Sequence, residues 1–318
     1  MNMNQLNTNT MSLPPPLGVR PDMSPQWCDV DLDFDTAANR IVATHAHDGH
    51  EHDLPILDLR SWAVVPHNGK FALAPLAGHH QPRPLRSNGL SNLLGRFGAP
   101  VEFVRDRLPA PLQLATVNYL LAAADKPVGG TLRLRGDDVA ALVSGRYAPL
   151  DAEELVDTVR CALVRHGCIQ DVRVRSYATG LVDVMRLVFP AEQQAIKVGD
   201  VTALGLDISS SSFGRSAVHV RGTLWRLVCT NGLRVAERHG GLSFRHVGDS
   251  QRMKDGIHEA IPTCIAQARG TMERWKQAVT VMIDRVEDLI NNMRYLSIGE
   301  RELVEQELLS ETGHAQLP

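Results

Sequence analysis

Six arginines and one acidic residue, Glu237, lie between Arg215 and Arg245 in a chain whose formal net charge is -3. Guanidinium groups concentrated on strand-like sequence make a site for an anion, and phosphate is the commonest large one. Arg215, Arg221, Arg226, Arg234, Arg238 and Arg245, joined by Arg173 and Arg175 from an upstream hairpin, are expected to line one side of a sheet. There they would meet a phosphate backbone, with Trp225, Phe213 or Tyr177 stacking on bases. The same residues also suit the solvated face of a half-buried sheet. The sequence pI of about 6.5 falls short of the value above ~9 usual for a nucleic-acid-binding domain, so the positive charge is local.

Other residue groups bear on catalysis. His45, His47, His50 and His52, interleaved with Asp48, Glu51 and Asp53, have the side chains of a zinc, nickel or copper site. Their alternation on an expected loop fits exchangeable binding better than one fixed geometry. Cys229 with His219, His246 and Asp207 would make a nucleophile, base and orienting acid, but a buried small apolar residue is the commoner fate of such a cysteine. Asp183, Asp200 and Asp207 share no obvious strand face. No phosphate-cradling G-x-x-x-x-G-K-[ST] loop, G-x-G-x-x-G turn, G-x-S-x-G elbow or H-E-x-x-H helix occurs. No catalytic residue and no cofactor are assigned.

The elements that position these residues follow from periodicity and punctuation. Leu112 to Ala124 clusters its apolar residues as a buried helix does, Thr131 to Arg135 suits a short strand, and Asp137 to Ser144 suits another short helix. Asp151 as N-cap with Glu154 three residues on predicts a capped helix carrying Leu155, Val159, Ala162 and Leu163, ended by Gly167. Asp171 to Tyr177 and Leu181 to Phe189 form a hairpin, and Val201 to Ser209 and Ser216 to Cys229 are two further strands, with a bulge at Gly222. Asn231-Gly232 then reverses the chain into Leu233 to Glu237. Sequential strands without helices between them predict an α+β fold: an antiparallel sheet of four or more strands, helices packed on one face, and a long C-terminal helix. That helix is expected from Pro262 to about Tyr295, with a heptad-like stripe through Ala268, Met272, Trp275, Val279, Met282, Val286, Leu289 and Met293. The stripe serves packing on its own domain or assembly into a homo-oligomer. Ser297 to Glu300 leads into a short last helix.

Composition sets the outer bounds. A chain of 318 residues with 43% hydrophobic and 22% charged content can bury a sizeable core. Five scattered cysteines fit a reducing cytoplasm. No signal peptide or membrane span is read. Residues 22–58 hold nine acidic side chains against Arg40 alone, a front able to shield the basic middle. Residues 1–60 are taken as a flexible, acidic and His-rich lead-in, 61–249 as the α+β core and 250–318 as a helical region.

Arg146-Tyr147-Ala148-Pro149-Leu150-Asp151, Gly205-Leu206-Asp207-Ile208-Ser209, Gly214-Arg215-Ser216-Ala217 and above all Trp225-Arg226-Leu227-Val228-Cys229-Thr230-Asn231-Gly232-Leu233 resemble domain-of-unknown-function family 932, the phage/plasmid-like proteins. The likeness covers about residues 85–247. It implies a bacterial cytoplasm and a mobile-element setting, and carries over no reaction. The order of helix, strand meander and helix is similar in layout to single-strand annealing proteins of the Red-beta recombinase group. The expectation is a non-enzymatic protein that binds single-stranded DNA, or another nucleic acid, through its arginines. The alternatives are a protein-interaction module assembling through the C-terminal helix and a metal-dependent enzyme using the His-rich segment.

Overall fold

The computed structural model describes residues 19–20, 32–47, 49, 51–77, 81–170, 172–178, 181–197, 200–227, 234–280, 297, 299–304 and 306. In chain order they run β1 (Val19–Arg20), α1 (Phe34–His47), β2 (Glu51–Ile56), β3 (Trp62–His67), β4 (Lys70–Pro75), β5 (Arg83–Pro84), α2 (Ser87–Arg96), α3 (Ala110–Ala122), β6 (Gly130–Arg135) and β7 (Asp138–Val143). Then come α4 (Ala152–Arg165), β8 (Arg173–Ala178), β9 (Asp183–Lys197), β10 (Asp200–Ser210), β11 (Val218–Leu227), β12 (Arg234–Phe244) and α5 (Ser250–Val279). The chain divides into two units, Met1–Met272 and Glu273–Pro318, the division falling within α5.

The main sheet of the first unit is antiparallel in the order β1-β12-β11-β10-β9-β8. Paired residues in such a ladder point to the same side, and alternate residues along a strand to opposite sides. One side therefore carries Val174, Met185, Leu187, Leu204, Leu206, Ile208, Val220 and Leu224, all buried. Burying each such side chain contributes roughly 1.5–3 kcal/mol. Helices cover this side. Ser176 Oγ, near one edge, donates to Ala37 O of α1, and α1 packs beside α4. Toward the other edge Cys264 Sγ of α5 donates to Val220 O, and Gly256 of α5 sits against the Phe244 ring. The expected α+β architecture is therefore present.

The remaining layer comprises two small antiparallel sheets, β2-β6-β7 and β3-β4-β5, with α2 and α3. Its core gathers Leu59, Val64, Leu73, Leu93, Leu94, Val117, Leu121, Leu132 and Val139. Asn88 of α2 ties it to the main sheet, its Nδ2 donating to Ala140 O and Phe213 O.

Several local expectations hold. Asp151 and Glu154 form the capping box of α4, β8 and β9 pair as a hairpin, and the β11–β12 register shifts between Val220 and Gly222. Others are corrected. The segment Asp137 to Ser144 holds the strand β7 (Asp138–Val143), not a helix: Gly136 at φ +58 turns β6 into β7, and Val139 to Val143 is buried throughout, a pattern that periodicity cannot tell from a buried helix. The segment before residue 60 holds α1 and β2. Asp33 caps α1 by accepting from Thr36 N, and Phe34, Ala37, Ala38 and Ile41 form its buried stripe. α5 begins at Ser250 and contains Pro262. Proline removes the hydrogen bond to the His258 carbonyl, but Met253, Ile257, Ala260, Ile261 and Cys264 extend the buried stripe upstream and outweigh that loss. α3 is present with only Val117 and Leu121 buried, so it is a surface helix.

In the second unit, the stripe from Met282 to Met293 lies outside the described residues. Residues 299–304 are helical, with Ser297 and Glu300 as its capping pair.

Candidate nucleic-acid interface

The second side of the main sheet is where the arginines gather. One cross-strand row reads Arg175, Arg186, Asp207 and Arg221 on β8 to β11, and the next reads Arg173, Val188, Gly205, Thr223 and Arg238 on β8 to β12. Paired residues share a side, so these five arginines stand on one face, opposite the helices. Arg173, Arg175 and Arg221 are partly exposed, Arg238 is exposed, and Arg186 is buried. Asp207 is the single carboxylate in the two rows. Its Oδ2 accepts from Arg238 Nη2 at 2.6 Å and Nε at 3.0 Å. Arg173 and Arg221 have no carboxylate partner among the described residues. Burial first, then the charges of Arg221 and Arg238, lower the pKa of nearby His219 against the pull of Asp207.

Glycine shapes this surface at two places. A Cβ on Gly205 would fall 2.5 Å from Trp225 Nε1, so the indole occupies the space a side chain would need. At the β11–β12 irregularity Gly240 (φ +66) and Gly241 (φ +151) hold backbone conformations that side chains resist, and the Arg221 stem lies against Gly241.

The remaining expected contacts are distributed differently. Arg226 pairs with Thr202 and lies on the helix-covered side. Arg215 is exposed in the β10–β11 connection and Arg245 is exposed just after β12, both at one end of the sheet. Arg234 pairs with Leu227, but its side chain lies outside the described residues, as does that of Tyr177. Trp225 belongs to the arginine face yet is 3% exposed, and Phe213 is 0% exposed, so both form floor or core instead of offering an open ring. The Cys-Thr-Asn-Gly turn is likewise outside the described residues. Arg186 was missed by sequence reasoning because it sits in a continuous apolar run; its only signal was an arginine amid residues bound for a core.

His45 enters a different site. Its Nδ1 donates to Glu51 Oε1 at 2.7 Å and its Nε2 to Asp183 Oδ1 at 2.8 Å. Arg135 Nη2 donates to the same Glu51 oxygen, and Arg133 Nη2 bridges Glu51 Oε2 at 3.2 Å and Asp151 Oδ1 at 2.5 Å. The Arg135 guanidinium also stands 4.4 Å from the Phe213 ring centroid. Burial alone would lower the His45 pKa, but the two carboxylates overcome it and push it up to about 9. Glu51 is held well below the usual carboxylate range, against burial, by His45 and Arg135. Burial raises Asp151, and the neighbouring charge of Glu51 adds to that despite Arg133. The network joins α1, β2, β6, β9 and the start of α4. Both His45 nitrogens are taken, and His52 is exposed on β2. His50 and the side chain of His47 lie outside the described residues. Among the described residues no group of three or more His, Cys, Asp or Glu is placed to hold a metal ion.

Among the described residues no helix is long and apolar enough to cross a membrane. No curated relative and no solved structure matches the chain. A family match begins at β7, later than the resemblance at residue 85, and runs beyond it through α5. Matching over residues 139–311, more than half its length, the chain belongs to the family described as Domain of unknown function (DUF932).

Proposed function

We propose that this protein binds nucleic acid through backbone phosphates on the arginine face, without catalysing a reaction on it, in a phage or plasmid setting. The observation carrying this reading is the alignment of Arg173, Arg175, Arg221 and Arg238, each at least partly exposed, on one side of the sheet with Asp207 as the single carboxylate in their rows. Arginine forks suit phosphate oxygens, and their delocalised charge is less costly to strip of water than an ammonium. The buried state of Trp225 and Phe213 puts the weight on phosphate and sugar contacts, which position a polymer without reading its sequence. Single-stranded DNA is the proposed ligand, by layout alone.

Binding of labelled single-stranded DNA across a salt series tests this. Three to four phosphate contacts predict a slope of log K against log salt of about -2 to -3. The double variant Arg173→Glu with Arg221→Glu is expected to bind at least tenfold more weakly, about 1.4 kcal/mol. Salt-insensitive binding, or an unaffected double variant, would reject the reading. Equal affinity for duplex of the same length would transfer it to nucleic acid of either form.

A further inference from the structure

The arginine side of the main sheet has a buried floor between its arginines. Val188, Ala203 and Trp225 form an apolar cluster there, and with Thr223 they are at most 3% exposed. The helices that pack on this sheet lie on its other side. A floor that includes a tryptophan set over Gly205, and is shut from water on the side away from the helices, needs a layer above it.

The chain itself has to cross the sheet. At one edge β1 pairs with β12, Arg20 lying in register with Arg234 and through it with Leu227. At the opposite edge Leu32 exchanges both backbone hydrogen bonds with Val174 of β8, at 3.0 and 2.8 Å. Residues 21–31, between these two anchors, lie outside the described residues. Val174 is in register through Leu187 and Leu206 with Gly222, five residues from Leu227 along β11, and the anchors are six strand spacings apart. At ~4.8 Å per strand and ~3.3 Å per residue, the diagonal between them is about 33 Å. The twelve Cα-to-Cα steps from Arg20 to Leu32 reach ~40–43 Å when fully extended. Passing outside the helices would add about 10 Å on the way out and again on the way back. Skirting the strand ends would take about 46 Å. Both detours exceed the reach, which leaves the path over the arginine side.

We propose that residues 21–31 occupy the arginine face and that nucleic acid must displace them, so the chain carries its own competitor for the site. The charges are complementary, since the segment holds Asp22, Asp29 and Asp31 and no basic residue. One step on from the Leu32–Val174 bridge, antiparallel register sets Asp31 opposite Arg175, on the arginine side. Met23 and Trp27 supply apolar side chains for the floor. Held at both ends, the segment meets the face at a high effective concentration, so modest contacts suffice to compete. This competition rests on phosphate binding by the same face.

Hydrogen exchange of the full chain, with and without a saturating single-stranded oligonucleotide, tests the occupancy, and oligonucleotide binding by the triple variant Asp22→Asn, Asp29→Asn and Asp31→Asn tests the competition. The amides of residues 21–31 are expected to be protected in the free protein and to lose that protection when DNA binds. The triple variant, which keeps side-chain shape and removes the charge, is expected to bind DNA about tenfold more tightly than the parent. Amides that exchange as fast as an unstructured chain, in a protein that still binds DNA, would overturn the proposal and leave the phosphate reading intact. A triple variant with the parent's affinity would overturn it as well. Protected amides in a protein that binds no DNA, with or without the three aspartates, would instead reject the phosphate reading and end the regulatory role with it.

Discussion

Asp207 restrains the arginine face. It accepts two hydrogen bonds from Arg238 and sits in register between Arg186 and Arg221, so it offsets charge that a polyanion would otherwise meet. Asp207→Asn keeps the shape, releases Arg238 and is expected to tighten DNA binding about three- to tenfold while steepening its salt dependence, as filter binding would measure. A variant that binds no better would mean that Arg238 takes no part. His45 gives a prediction of a different kind. Its folded pKa of about 9 exceeds the ordinary 6.5, so between those values the folded chain holds a proton that the unfolded chain releases. Its stabilisation is full below pH 6.5 and lost as pH rises through 9, on the order of 3 kcal/mol in all. Denaturant midpoints measured at pH 6, 7.5 and 9 should fall in that order, and His45→Gln should flatten the trend.

Among the elements, what was legible in the sequence was local. The α4 capping box needs only Asp151 and Glu154, and the β8–β9 hairpin only the alternation of Val172 and Val174 with Arg173 and Arg175. β7 misled because a strand buried on both sides lacks a period of two. α1 escaped notice because its buried stripe holds only two large apolar residues, Phe34 and Ile41, beside Ala37, Ala38 and His45, which do not announce a core. The arginine face was half legible: alternation puts Arg173 and Arg175 together, but only register brings Arg186 and Arg221 beside them, and register depends on the long-range fold. The Gly240–Gly241 irregularity shows how an element can govern the face. Gly241→Ala would push a Cβ to 2.7 Å from Arg221 Cγ at φ +151, costing about 1–3 kcal/mol. Loss of stability together with weaker DNA binding is the expected pair of effects in chemical denaturation and binding assays; lost stability with unchanged binding would free Arg221 from a role.

For the molecule as a whole, the charge network makes residues 32–60 part of the fold instead of an appendage. Removing residues 1–60 takes away His45 and Glu51 and strands Arg133 and Arg135, which are 2% exposed, without their buried carboxylate partner. Breaking such a cluster typically costs 3–5 kcal/mol, comparable to the whole stability of many domains. Loss of cooperative thermal unfolding is therefore expected, and a truncated chain that still melts sharply would refute the integrating role of the network. The arginine rows have a directional consequence. They run across the strands, which lie about 4.8 Å apart, so the track from partly exposed Arg173 and Arg175 on β8 to exposed Arg238 on β12 is roughly 19 Å long, over buried residues on the strands between. A polymer following it must travel crosswise, and at ~3.4 Å per stacked nucleotide its footprint is about six nucleotides. Oligomers trimmed below that length should lose affinity stepwise, whereas lengthening them should add only further places to land.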